Sequence, residues 1–216
     1  MARATRGVIF DMDGVLIDSG AHHRAAWRAV LDELGVAPAR PDYWRLTIGR
    51  PGNEAVPLLL GRPVPWSEAR RLADRKGEFY RQIARDGLPA VRGVHAFVDE
   101  VAAAGIPRAV ATSASRLDVE RLLDPLGLLR RFDAVVTAED VRRGKPDPEV
   151  YLLAAESIGV PPVQCLVFED SVVGVQAARR AGMRVIGVAT AHADGELLDA
   201  GAASVIDDFE GLSWPA

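Results

Sequence analysis

Cysteine is almost absent from this chain, since Cys165 is the only one in 216 residues. An internal disulfide is therefore impossible, and a lone thiol favours a reducing compartment. Cys165 opens an apolar run, which favours a buried, inert thiol over a catalytic one. We therefore expect a cytoplasmic protein whose chemistry does not depend on sulfur.

Long apolar runs and an excess of positive charge are also missing. The apolar run behind the basic N-terminus is short and ends at Asp11, so we predict neither a signal peptide nor a membrane span. The formal net charge is −4 and the isoelectric point is about 5.6. Nucleic-acid-binding proteins usually carry an excess of basic residues, which this chain lacks. We therefore expect neither a membrane nor a nucleic acid as the partner.

The composition itself is that of a soluble globular protein. Hydrophobic residues make up 49% of the chain and charged residues 26%, enough for one large domain or for a core with a smaller insert. Helical and strand patterns alternate from residue 93 onward. Strands are predicted at 8–10, 108–112, 134–137, 165–168, 185–188 and 204–206, with helices at 94–104, 116–126, 148–158, 172–181 and 196–200. This alternation predicts a doubly wound, mostly parallel α/β sheet with helices on both faces.

Residues 19–88 show a different pattern, because their apolar residues recur at helical spacing without a clear strand. Helices are predicted at 22–35, 52–60 and 66–85. We therefore divide the chain into an α/β core of residues 1–18 and 89–216 and an inserted helical lid of residues 19–88.

Residues 8–18, V-I-F-D-M-D-G-V-L-I-D, join an apolar run to closely spaced carboxylates. Asp11 and Asp13 follow the predicted buried strand at its carboxyl end, where open α/β sheets bind ligands. Two nearby carboxylates repel each other, and Mg²⁺, which prefers oxygen ligands, would relieve that repulsion. One carboxylate could be a nucleophile and the other a proton donor and acceptor. The alternative is that these residues form only a strand and an Asx-rich turn, without a catalytic role.

Two later stretches place groups that suit a phosphate. Residues 109–115, A-V-A-T-S-A-S, end a strand in hydroxyl residues that open a helix, whose free N–H groups favour a phosphate oxygen. A plain helix cap, for which Ser115 is the candidate, is the alternative. Residues 144–151, G-K-P-D-P-E-V-Y, hold Lys145 between glycine and proline, a fixed position that suits a charge aimed at phosphate.

A second buried strand ends in paired acids, Glu169 and Asp170, at the start of a helix. Either acid could act only as a helix cap. Two adjacent acids at the end of a buried strand exceed what capping requires. We expect the acids to converge around one cation and to face Lys145 and Ser113 across a gap the size of a phosphate.

These four stretches, in this order and each at a strand end, resemble motifs I to IV of the haloacid dehalogenase superfamily of phosphohydrolases. The helical insert just after the first motif is similar to the group of β-phosphoglucomutase, phosphoglycolate phosphatase and sugar-phosphate phosphatases. The resemblance implies a Rossmann-like core with a helical cap over the substrate. It also implies a Mg²⁺-dependent phosphatase of small phosphorylated metabolites, sugar phosphates among them, that works through an aspartyl-phosphate.

The same resemblance implies roles for individual residues. Asp11 would attack phosphorus, and Asp13 would protonate the leaving oxygen and then activate water. Ser113, the Ala114 N–H and Lys145 would hold the phosphoryl oxygens. The ligands implied for Mg²⁺ are the Asp11 carboxylate, the Asp13 backbone carbonyl, Asp170, and Glu169 directly or through water.

Three lid residues also resemble β-phosphoglucomutase. His23 matches a histidine that helps to position the counterpart of Asp13, and Arg75 and Lys76 match a basic pair that contacts substrate. The alternatives are that His23 only packs or caps a helix, and that the basic residues form the solvated face of the helix at 66–85.

One departure from the mutase pattern bears on the reaction. The mutase has an arginine three residues after the hinge glycine, Gly49, but that position is Gly52 here, and Arg50 lies nearby as a candidate substrate contact. A phosphomutase must bind the second phosphate of a bisphosphate, and the missing arginine argues against that reaction. A β-phosphoglucomutase-like phosphomutase stays the alternative to a phosphatase.

Two further alternatives remain. A 2-haloacid dehalogenase uses the same aspartyl chemistry without a metal, and it does not need Asp13 or the Glu169-Asp170 pair. A non-catalytic binding module on a decayed scaffold would have lost its nucleophile, lysine or metal acid, and none is missing here. We therefore expect a small phosphorylated metabolite as the partner and a monomer or weak dimer.

Overall fold

Six short strands form one parallel sheet in the computed structural model, which describes residues 5–216. The strands are β1 (Gly7–Phe10), β2 (Arg108–Ala111), β3 (Ala134–Val136), β4 (Cys165–Glu169), β5 (Arg184–Val188) and β6 (Ser204–Ile206). Their spatial order is β3-β2-β1-β4-β5-β6, and every neighbouring pair is parallel. All strands therefore end at one edge, and the predicted doubly wound α/β fold is confirmed.

The described residues form eight α-helices. They are α1 (Gly20–Leu34), α2 (Gly52–Leu60), α3 (Trp66–Ile83), α4 (Val94–Ala103), α5 (Arg116–Leu123), α6 (Glu149–Ser157), α7 (Val172–Arg180) and α8 (Asp194–Asp199). Of these, α4 to α8 belong to the part of the chain that carries the sheet, and α1 to α3 belong to residues 19–88. The helix predicted at 116–126 was too long, because Pro125 has no N–H to continue it. A short 3₁₀ helix at Tyr43–Thr47 was not predicted.

Alternate residues of the central strands face opposite sides of the sheet and build two apolar layers. Phe10 and Phe168 belong to one layer, whereas Ile9 and Val167 belong to the other. The rings of Phe10 and Phe168 stack with centroids 5.2 Å apart, because parallel pairing sets these residues side by side. Burial on both faces explains why β1 and β4 are continuous apolar runs rather than alternating ones.

The helices of residues 19–88 enclose a third apolar cluster, which includes Trp27, Leu31, Tyr43, Leu59 and Leu72. The two chain segments that enter and leave this region are bonded to each other. The N–H of residue 18 donates to the carbonyl of residue 89 at 2.9 Å, and the N–H of residue 91 donates to the carbonyl of residue 16 at 3.1 Å. We propose that residues 19–88 form a lid that is hinged at this paired crossing.

Cys165 is a buried free thiol, as predicted, and burial raises its pKa to about 11. In the part of the chain that the structure describes, no helix combines the length and the apolar character that a membrane crossing requires.

The aromatic cluster of the core should carry much of the stability. Phe97 of α4 is 1% exposed, and its ring lies 5.2 Å from that of Phe168 and 5.4 Å from that of Phe209. Phe97→Ala should lower the free energy of unfolding by about 3–5 kcal/mol, since it leaves a cavity that the sheet cannot fill. Urea denaturation measures this loss.

Leu152→Ala is the matched control, because Leu152 is 42% exposed on α6. Its cost should stay near or below about 0.5 kcal/mol. Equal losses in the two variants would contradict the importance given to the aromatic cluster.

Candidate active site

The carboxyl ends of β1 and β4 bring three acids together. Asp11 directly follows β1, Glu169 ends β4, and Asp170 follows it. The Asp11 N–H donates to the carbonyl of Phe168 at 3.0 Å, which fixes the two strand ends side by side. Oxygen atoms of the three carboxylates lie within 4.8 Å of one another, and all three side chains are buried.

Lys145 lies inside this acidic cluster with 1% of its surface exposed. Its Nζ donates to Asp11 Oδ1 and to Glu169 Oε1, each at 2.7 Å, and lies 4.9 Å from the centre of the Tyr151 ring. Burial acts to lower the pKa of Lys145, but the charges of Asp11 and Glu169 outweigh it and raise that pKa well above its usual value. The expected gap between lysine and nucleophile is wrong for this structure, since the two groups form an ion pair.

Glu169 is the anchor of this lysine. Its Oε1 also accepts from the Tyr151 hydroxyl at 3.1 Å, and its Oε2 accepts from the N–H and the hydroxyl of Ser171 at 2.6 and 2.9 Å. Four donors therefore occupy a carboxylate with no exposed surface. The two acids with open oxygens are Asp11 and Asp170, because the hydrogen bonds to Asp11 from the described residues all fall on Oδ1.

The charge balance of the cluster favours a further cation. Burial, with the charges of Glu169 and Asp13, raises the pKa of Asp11 to about 7 even though Lys145 opposes the shift. Burial and the neighbouring carboxylates also raise the pKa of Asp170 well above its usual value. One lysine thus leaves the acids short of positive charge, and a divalent cation with oxygen ligands fits this donor set.

Asp13 lies beside the cluster and is bonded to the lid. His23 Nε2 of α1 lies 2.8 Å from Asp13 Oδ1, and Lys76 Nζ of α3 lies 2.6 Å from His23 Nδ1. Because a lysine ammonium donates to Nδ1, the ring proton is on Nε2 and is donated to Asp13. The His23 ring stacks on Tyr80 with centroids 4.2 Å apart, which fixes its orientation.

The pKa shifts in this series of groups agree with that proton placement. Burial opposes the ionised form of Asp13, but attraction to the positive charge of the His23–Lys76 pair and a hydrogen bond from His23 outweigh it and lower the pKa of Asp13 to about 2. Burial and the charge of Lys76 lower the pKa of His23. Burial lowers the pKa of Lys76 to about 8. At neutral pH the series is therefore an ammonium, a neutral imidazole and a carboxylate.

The groups predicted to hold phosphate already have partners within the protein. Ser113 Oγ donates to the carbonyl of Gly49 at 3.0 Å, and the Ala114 N–H donates to Thr112 Oγ1 at 3.0 Å. Ser115 is the cap of α5, since its Oγ accepts from a backbone N–H of the first turn. Ser113 therefore does not cap this helix, and together with Ala114 it lines the cleft described next.

A cleft of about 1020 Å³ runs between the lid and the core and is lined by Asp11, Asp13, Asp170 and Lys145. Three of the four lid residues expected to meet substrate also line it, namely His23, Arg50 and Lys76.

Arg75 does not line this cleft. Its guanidinium pairs with Glu33 and Glu78, and it borders a shallow depression elsewhere on α3. The expectation that Arg75 contacts substrate is not met, because adjacent residues on a helix point about 100° apart. Lys76 is the member of the basic pair that lines the cleft, whereas the guanidinium of Arg75 is held away from it by Glu33 and Glu78.

The lid rests on the core around the cleft. Arg45 of the lid pairs with Glu196 of α8, and Arg121 Nη2 of α5 donates to the carbonyl of Arg81 at 3.0 Å. Together with the bond from Ser113 to Gly49, these contacts hold residues 19–88 against the core above the acids.

Sequence reasoning missed two residues that touch the acid-bearing loops. Thr190 Oγ1 donates to the carbonyl of Gly14 at 2.6 Å, and His192 Nδ1 lies 3.1 Å from the carbonyl of Asp170. Both residues follow β5, so they share the edge at which the acids lie. The convergence of strand ends could have indicated them, but only after the position of β5 beside β4 was known.

The packing around Glu169 leaves no room for a methyl group on Gly174 of α7. A Cβ at this position would overlap the Glu169 carboxylate. Gly174→Ala should displace Glu169, loosen Lys145 and lower the free energy of unfolding by about 1–3 kcal/mol, as overpacking does. Thermal and urea unfolding measure the stability.

Gly195→Ala is the matched control, because no atom lies within 4 Å of a Cβ built at Gly195 of α8. That change should leave stability unchanged or raise it by up to about 1 kcal/mol. If Gly174→Ala is as stable as Gly195→Ala, the tight enclosure of Glu169 is disproved.

Comparisons with known proteins agree with this geometry. The sequence is 36% identical over 208 residues to a phosphorylated carbohydrates phosphatase of Thermotoga maritima, covering 95% of this chain and 96% of the relative. It is 38% identical over 185 residues to a fructose-1-phosphate phosphatase of Escherichia coli, covering 84% of this chain and 95% of that protein. The structure superposes on a β-phosphoglucomutase from Clostridium difficile with a TM-score of 0.84, 25% identity and coverage of 97% and 94%.

A family profile described as haloacid dehalogenase-like hydrolase matches residues 5–182. That match spans β1, the lid, Lys145, β4 and α7, and thus all four motifs. The chain belongs to the family of haloacid dehalogenase-like hydrolases.

Proposed function

We propose that this hydrolase is a Mg²⁺-dependent phosphatase that releases phosphate from small phosphorylated carbohydrates. The observation that carries the proposal is the convergence of Asp11, Asp170 and Lys145 at the floor of the cleft between residues 19–88 and the core. The names of the relatives support it, because two of them are phosphatases of phosphorylated carbohydrates. The phosphohydrolase prediction is confirmed at the level of the family.

The cation site follows from the acids that still have open oxygens. Asp11 and Asp170 would hold Mg²⁺ with the backbone carbonyl of Asp13, while Glu169 would act mainly through Lys145. Bound Mg²⁺ would neutralise charge on the acids and on the phosphoryl group. These ligand roles are proposals, and the buried acidic cluster is their support.

The nucleophile would be Asp11. Lys145 holds Asp11 Oδ1 at 2.7 Å, and one oxygen of this carboxylate would attack phosphorus while the other contacts the cation. The bond from phosphorus to the sugar oxygen breaks as the Asp11–phosphorus bond forms, and an aspartyl-phosphate results. Water then attacks the same phosphorus, releases inorganic phosphate and regenerates the Asp11 carboxylate.

Asp13 would move the protons of both steps. Asp13 is a carboxylate in this structure, so it would first take up a proton that enters with the phosphate group of the substrate. It would give that proton to the leaving sugar oxygen and then take another from the attacking water. His23 positions this carboxylate through the bond to Oδ1, and Lys76 fixes the tautomer of His23. Because His23 reaches Asp13 from the lid and Lys76 acts on Asp13 through His23, lid closure would complete the proton-transfer site.

Phosphate would be bound by exchange of partners. Ser113, the Ala114 N–H and Lys145 now donate to Gly49, Thr112 and Asp11, in that order. A phosphoryl oxygen would replace the carbonyl or hydroxyl acceptor at the first two donors, while Lys145 would bridge phosphate and Asp11.

Substrate choice would be made in the lid, where Arg50 and Lys76 line the cleft. A β-phosphoglucomutase-like reaction is the second candidate, favoured by the likeness to the Clostridium difficile structure. The glycine at position 52 leaves no cationic side chain where the mutase pattern has arginine. We also propose a cytoplasmic location and a monomer or weak dimer, with neither nucleic acid nor membrane as partner.

Asp11→Asn tests the nucleophile directly. The amide keeps the shape of the side chain but cannot displace an alkoxide from phosphorus, so release of phosphate from sugar phosphates should fall by about 10⁴-fold or more. A colorimetric assay of inorganic phosphate, run with Mg²⁺ and then with EDTA, measures this.

Asp86→Asn, at an exposed position beyond α3, is the control and should retain full activity. Turnover that survives either EDTA or Asp11→Asn would refute the proposal. A panel of phosphorylated sugars, assayed with and without a sugar bisphosphate primer, separates the candidates, because only the mutase requires the primer.

The lowered pKa of Lys76 predicts an alkaline limit of activity. Lys76 is protonated below about pH 8, where it holds His23 in the tautomer that donates to Asp13, and it loses that proton above this pH. The value of kcat/KM should therefore fall as the pH rises through about 8.

Lys76→Arg should move this limb to higher pH, because arginine keeps its charge up to about pH 12. Lys76→Met should lower kcat/KM at every pH and abolish the limb. An alkaline limb that stays near pH 8 in the arginine variant would show that another group causes it.

A further inference from the structure

The turn after β5 lies against both loops that carry the acids. β5 pairs with β4 in parallel, with Gly187 opposite Glu169, so the residues that follow β5 lie beside Asp170. The turn is held from its other side by β6, because the Ala189 N–H donates to the carbonyl of Ile206 at 2.8 Å. It is therefore a fixed support.

Thr190 connects the first acidic loop to the second. Its Oγ1 lies 2.6 Å from the carbonyl oxygen of Gly14 and 3.4 Å from Asp170 Oδ2. A hydroxyl has one proton, and the short distance assigns it to the Gly14 carbonyl. The bond thus fixes the backbone next to Asp13, while the Thr190 oxygen lies beside the carboxylate of Asp170.

Gly14 shows how closely these groups are packed. A Cβ at Gly14 would overlap Asp170 Oδ2 and would lie 2.8 Å from Thr190 Oγ1, and its φ of 75° also favours glycine. Gly14, Asp170 and Thr190 are therefore in mutual contact. A shift of any one of them changes the distance between the two acidic loops.

His192 holds Asp170 from a second direction. The residue is 8% exposed, and its Nδ1 lies 3.1 Å from the Asp170 carbonyl oxygen. A carbonyl can only accept, so Nδ1 carries the proton and donates it. The turn thus fixes the backbone of Asp170 through His192 and borders its side chain through Thr190.

We infer that Thr190 and His192 are positioning residues for the cation, which set the distance between the Asp13–Gly14 backbone and the Asp170 carboxylate. The inference rests on the proposed function, because it concerns the Mg²⁺ site of the same reaction. Partners that orient metal ligands commonly change metal affinity by about 10–100-fold when they are removed.

Calorimetric titration of the full chain with Mg²⁺, in the absence of substrate, tests this inference. Thr190→Val and His192→Leu should each weaken Mg²⁺ binding by about 10-fold or more. Thr190→Ser keeps the hydroxyl, and His192→Asn keeps an N–H donor near the position of Nδ1. These matched variants should stay within about threefold of the natural protein.

Two further readouts separate positioning from general stability. High Mg²⁺ should restore kcat in Thr190→Val, with the KM for the sugar phosphate unchanged. A merely structural role would instead lower the melting temperature of the metal-free protein equally in the valine and serine variants, with Mg²⁺ affinity unchanged.

Asp170→Asn serves as the reference for the proposed function, since it removes a ligand outright. If it abolishes Mg²⁺ binding while Thr190→Val and His192→Leu bind as the natural protein does, the inference is overturned and the proposed function stands. If the natural protein shows no Mg²⁺ binding that Asp170→Asn removes, the proposed metal site fails and the inference fails with it.

Discussion

The contact on which this structure depends is the buried ammonium of Lys145 between the carboxylates of Asp11 and Glu169. Removal of such charges from water costs several kcal/mol for each ion, and attraction offsets that cost only where the remaining donors and acceptors are also satisfied. Glu169 meets this condition with four donors. Asp11 and Asp170 do not, and this difference separates an anchoring acid from acids that are available for chemistry.

Residues of the lid helices act on a fourth acid, Asp13, which lies beside the cluster of Asp11, Glu169 and Asp170. His23 and Lys76 belong to lid helices, yet they determine the ionisation of Asp13, which belongs to the core. A closed lid therefore has a carboxylate that is oriented and charged, whereas an open lid would expose Asp13 to water. Under the proposed mechanism, proton transfer and the exclusion of solvent would both depend on closure of the proposed lid, because the same helices would perform both.

Much of the fold and of the core site was predictable, because the relevant signals are local. Asp11 and Asp170 follow buried apolar strands, and a parallel sheet brings such strand ends to one edge. Arg75 was misplaced because helical phase, which separates it from Lys76, depends on where α3 packs. The contacts of Thr190 and His192 with the acidic loops could not be predicted, since they depend on the position of β5 beside β4, and strand order cannot be deduced from a local sequence pattern.

The groups proposed to bind phosphate all have hydrogen-bond partners within the protein. Ser113 donates to Gly49 of the lid, so the hydroxyl proposed to bind phosphate now holds the lid against the core. A phosphoryl oxygen that takes this hydrogen bond would release one lid contact as it binds. Lid closure over substrate must then depend on groups that meet the sugar, and Arg50 and Lys76 are in place for that. Contacts between the lid and the sugar must then replace the Ser113–Gly49 hydrogen bond that phosphate binding removes. The lid would therefore select a substrate through its contacts with the sugar.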